Sequence, residues 1–65
     1  MIDSVELREL ERRIQVVEDN LRQLQEEATA VSGAADEERI ANRIADQEAK
    51  LAALLRQREV LIGNA

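Results

Sequence analysis

The chain of 65 residues contains no cysteine, proline, histidine or aromatic residue, and only two glycines. Each absence excludes something. Without cysteine there is no disulfide framework, no thiol redox centre and no thiolate metal site. Without histidine the commonest catalytic base near neutral pH is missing, along with the Glu-x-x-His element that many helical bundles use to hold metals. Two isolated glycines cannot build a phosphate-binding loop. No apolar run approaches the roughly 18 residues needed to cross a bilayer. The start, MIDSVELRELERR, has no basic segment leading into an apolar core, so a secretory signal is not expected. Cytoplasmic residence is the expectation, with no insertion into a membrane.

What is present is aliphatic and charged. Hydrophobic residues make up 45% of the chain and charged residues 35%, and the apolar share is almost entirely Leu, Ile, Val and Ala. That mixture fits long helices or coiled coils. A chain this short makes one domain, residues 1–65, and has difficulty enclosing a core of its own.

The charge is unevenly placed. Fourteen acids against nine bases give a net charge of −5. Glu26, Glu27, Asp36, Glu37 and Glu38 lie in a window with no Lys or Arg, leaving nine acids against nine bases elsewhere. The centre of the chain is therefore a candidate acidic contact patch on a balanced body. Such a body lacks the basic face that direct nucleic-acid binding requires.

Residue spacing predicts two helices. Asp3 is placed to cap the first, with Glu6 three residues on to complete a capping box and Ile2 set to pack on Leu7. Leu7, Leu10, Ile14, Val17, Leu21, Leu24, Ala28 and Val31 then follow in alternating steps of three and four, one continuous heptad seam. The second helix is broader. Ile40, Ile44, Leu51, Leu54 and Leu61 mark its stripe, widened by Ala41, Leu55 and Ile62 and interrupted by Gln47, Glu48 and Arg58. Gly63 suits a C-terminal cap.

The two stripes do not run in register. Nine residues separate Val31 from Ile40, a turn of about 900° that puts them on opposite faces of an unbroken helix. Gly33 sits at the slip, where it can take the left-handed conformation that ends a helix. Asp36 is then placed to cap the next. The expected fold is all-α: an antiparallel hairpin with a helix over about 4–31, a turn at 32–35 and a helix over about 36–62. Folding about residue 34 brings together positions whose numbers sum to about 68. Two helices share one seam and have no third wall, so dimerisation into a four-helix bundle or coiled-coil assembly is expected.

Chemistry is poorly represented. Acid/base catalysis needs two carboxylates held across a concave pocket, whereas a thin hairpin supplies solvated ridges. The acidic spacing does not match a calcium loop. No catalytic, cofactor, metal or small-molecule site is expected. Three readings follow. The first is a homodimeric scaffold or adaptor working through helix–helix contacts. The second is a chaperone or inhibitor covering a helical partner protein. In size and layout, two helices about a central turn, the chain resembles the hairpin co-chaperones of type III secretion needle subunits, which implies this second role. The third is an acidic protein engaging a nucleic-acid-binding partner through the central carboxylates.

Overall fold

A computed structural model describes residues 4–63. They form two helices, α1 (Ser4–Ala30) and α2 (Ala34–Gly63), packed against each other as an all-α hairpin. At about 1.5 Å per residue the helices are about 40 and 45 Å long. The principal extents are 51 × 14 × 11 Å, with a radius of gyration of 15.1 Å. A compact domain of this length would have a radius of about 11 Å. The hairpin is a rod one helix thick.

Leu10, Ile14, Val17, Leu21 and Leu24 are buried on α1, and Ile40 and Leu54 on α2. Leu10, Ile14, Val17, Leu21 and Leu54 form one apolar cluster, against which Ile44, Leu51, Leu55 and Leu61 pack. The register is read from the grooves flanking this seam. Leu10 shares one with Gln57, Val17 with Lys50, and Leu24 with Arg43. The two helices therefore run in opposite directions.

The ion pairs Arg13–Glu9, Arg22–Asp19 and Arg39–Asp36 are each formed within one helix, at 3.3, 2.8 and 3.3 Å. Asp19 also accepts a bond from the Gln15 amide at 3.2 Å. Exposed pairs three or four residues apart support their own helix by about 0.2–0.5 kcal/mol each. They do nothing to join the helices. That work falls to aliphatic burial, worth about 25 cal/mol per Å² of apolar surface.

The turn is shorter than the spacing predicts. Only Val31, Ser32 and Gly33 separate the helices. Gly33 has φ of 108°, a conformation that L side chains rarely adopt. Its carbonyl accepts a 3.0 Å bond from the Glu37 amide. Gly33 therefore starts α2, in the capping position where glycine is well tolerated. Asp36, expected as the cap, is instead the third residue of α2 and pairs with Arg39. The reason is local: Ala34 and Ala35 are the best of helix formers, so the helix extends back through them to the glycine. Asp36 and Glu37 still favour this end, because acids stabilise the positive pole of a helix. The far boundary also differs slightly, with Gly63 as the last residue of α2. The expected Asp3 cap and Ile2 staple lie outside the described residues, and Glu6 is exposed in the first turn of α1.

Candidate assembly surface

Assembly requires an aliphatic surface that the hairpin itself leaves uncovered. The α1 seam offers little of one. Its five central members are buried, and only Leu7, Ala28 and Val31, towards its ends, are half-buried. The flanking residues Glu11, Glu18 and Gln25 are polar and exposed. A seam this narrow is satisfied by one neighbouring helix.

The second helix is different. Of its stripe, Ile40 and Leu54 alone are buried, while Ile44, Leu51, Leu55 and Leu61 remain half-buried although they touch the core. Ile62 is 48% exposed at the C-terminal end of the same side. Apolar residues on the flank of the seam widen the stripe beyond what one neighbour can cover. The result is a strip of part-covered aliphatic side chains along α2, continuous with the core.

Polar side chains interrupt that strip. Gln47 and Arg58 occupy seam positions and are half-buried, and Glu48 is exposed beside them. The Gln47 Oε1 atom is buried without a hydrogen-bond partner. An unsatisfied acceptor costs about 1–3 kcal/mol, so Gln47 is a weak point of the hairpin. Its neighbours across the groove are Asn20, Leu24 and Glu27. Folding about residue 34 sets Arg58 opposite Leu10. It forms no ion pair among the described residues, and Glu9 is engaged by Arg13.

Among the described residues, the opposite side of the hairpin carries open grooves. One runs between Glu9, Leu10 and Arg13 on α1 and Ala53, Gln57 and Val60 on α2. A smaller one sets Arg12, Arg13 and Lys50 around Val16, Val17 and Leu54. Val16 and Val60, 53% and 62% exposed, are isolated aliphatics among charges, a common situation on protein surfaces. The first mixes acidic and basic side chains, whereas the smaller has three basic ones around an apolar floor.

Glu26, Glu27, Asp36, Glu37 and Glu38 are all exposed around the turn. Arg39 borders them and draws Asp36 into an ion pair. The Thr29 hydroxyl donates a 2.7 Å bond to the Glu26 carbonyl, closing the end of α1 on itself. Among the described residues no group of three acids is gathered closely enough to hold a metal ion. Among them, too, no helix is long and apolar enough to cross a membrane.

No family model, curated protein or solved structure matches this chain. The functional reading therefore rests on the physical character of the hairpin.

Proposed function

We propose that this chain is a non-enzymatic helical protein that acts by self-assembly, as a homodimeric scaffold or adaptor built on helix–helix contacts. One observation carries the proposal. Ile44, Leu51, Leu55 and Leu61 touch the core yet stay half-exposed along one helix of a rod only 11–14 Å thick. Covering them removes apolar surface from water without requiring any new fold. A second copy is the most economical cover, since closed two-fold dimers are the commonest soluble oligomers.

The test is molecular mass in solution across a dilution series, followed together with helix content by circular dichroism. Self-assembly predicts a dimer at micromolar concentration whose helicity falls as it dissociates. A monomer that is largely unfolded alone and becomes helical only in complex with another protein would overturn the proposal. That outcome would favour a chaperone or inhibitor using the same face of α2 on a helical partner.

A further inference from the structure

The flank of α2 beside its seam reads almost the same in both directions about the level of Ala53. Ile44 and Ile62 stand nine residues either side of it, Glu48 and Arg58 five, and Leu51 and Leu55 two. At about 100° per residue these six positions fall within about 40° of a single line along the helix. Ile44, Leu51, Leu55 and Arg58 on that line are half-buried, while Glu48 and Ile62 are exposed. Neither Glu48 nor Arg58 has an ion-pair partner among the described residues. A helix face in which apolar positions mirror apolar ones, and an acid mirrors a base, is complementary to itself when reversed.

We infer that two copies pair α2 against α2 in antiparallel fashion, with the two-fold axis level with Ala53, whose own side chain lies on the opposite side of the helix. The inference rests on the self-assembly proposed above and assigns its face and register. Ile44 then meets Ile62 of the second copy, Leu51 meets Leu55, and Glu48 meets Arg58, each contact occurring twice as two-fold symmetry requires. The paired stretch from Ile44 to Ile62 is about 27 Å long. Each half-covered aliphatic gains a neighbour of its own kind, and the two charges that interrupt the strip neutralise each other.

Other registers are poorer. Sliding one copy by about a turn in either direction sets Glu48 against Leu54 or Ile62 and leaves it unpaired at an apolar contact. Like or unmatched charges at an interface select against such alternatives more strongly than matched ones add affinity. The equivalent flank of α1 carries Glu11, Glu18 and Gln25, all exposed, and offers no competing apolar strip. The two α2 helices therefore form the centre of the assembly, with the two α1 helices outside.

Charge reversal tests this directly on the full chain. Glu48→Arg sets two arginines against each other at both symmetry-related contacts, and Arg58→Glu sets two glutamates against each other. Each variant alone is expected to self-associate at least about tenfold more weakly than the parent chain. An equimolar mixture of the two restores matched pairs at both contacts, and is expected to form a heterodimer of parental affinity. Recovery in the mixture also shows that neither variant has lost its capacity to fold. If the parent chain is monomeric at micromolar concentration, the self-assembly reading itself fails. If the parent dimerises but the single variants do so equally well, or the mixture gives no heterodimer, this register is wrong while self-assembly stands.

Discussion

The two helices of this hairpin solve the same packing problem with different margins. α1 buries Leu10, Ile14, Val17, Leu21 and Leu24, whereas α2, the longer helix, buries only Ile40 and Leu54. The cause is the width of each apolar stripe. On α1 the aliphatics keep to a strict seam with Glu11, Glu18 and Gln25 alongside. On α2 they spill onto the flank at Leu55 and Ile62, while Gln47 and Arg58 take seam positions. One helix is fully used within the hairpin, and the other keeps apolar surface in reserve. The contrast teaches that a two-helix unit need not be equally committed on both sides. The irregular helix is the one left with apolar surface part-covered.

The largest expected effect lies on the committed helix. Leu21 sits mid-seam in the apolar cluster and is 9% exposed. Leu21→Glu removes that packing and sets an unpaired carboxylate among aliphatics. The cost is about 4 kcal/mol or more, comparable to the whole stability of a domain this small. Helix content and assembly should disappear together in circular dichroism and sedimentation. A variant that stays helical and associated would show that α1 is not the committed side.

A smaller effect, of opposite sign, is expected on the uncommitted helix. Gln47 places a buried, unpartnered Oε1 in the α2 seam. Gln47→Leu exchanges that atom for apolar contact and should raise stability by about 1–2 kcal/mol in urea denaturation. Polar residues in a seam also restrict register and oligomeric state at a cost in stability. If the chain forms the dimer proposed above, the variant is expected to populate larger species in sedimentation. A loss of stability on this substitution would mean that the Gln47 amide has a partner in solution, and α2 would be more fully used than the hairpin indicates.

The hairpin was legible because Val31 and Ile40 belong to opposite faces of any continuous helix and Gly33 lies between them. The exact joint was not. Asp36 has the residue type of a cap, but two alanines ahead of it extend the helix to a glycine whose carbonyl starts the ladder. Propensity at Ala34 and Ala35 outweighed cap preference at Asp36. Likewise the breadth of the α2 stripe could be read from Leu55 and Ile62, but the degree of cover could not. It depends on side-chain packing across the seam, as does the isolation of the Gln47 oxygen. Purpose was the least legible. The function proposed here needs no residue type reserved for chemistry, so it would leave the same spacing as any packed helix.

The smallest expected effect compares the two helix ends that meet at the turn. Ala30 closes α1 and Ala34 opens α2, and both are exposed. The last turn of α1 has no base, so its negative pole faces the acids of the tip uncompensated. The first turn of α2 has Asp36 and Glu37 at a positive pole, an arrangement already favourable. A lysine introduced at either position is attracted by the same nearby carboxylates. Only at residue 30 does it also complement the helix dipole and follow Glu26 by four residues, the better order for such a pair. Ala30→Lys should therefore be about 0.5 kcal/mol more stable than Ala34→Lys in denaturant titrations at low ionic strength. The difference should shrink in about 1 M salt, where charges are screened within about 3 Å. Equal stability of the two variants would show that the tip responds only to its net charge, and that the ends of the two helices are electrostatically equivalent.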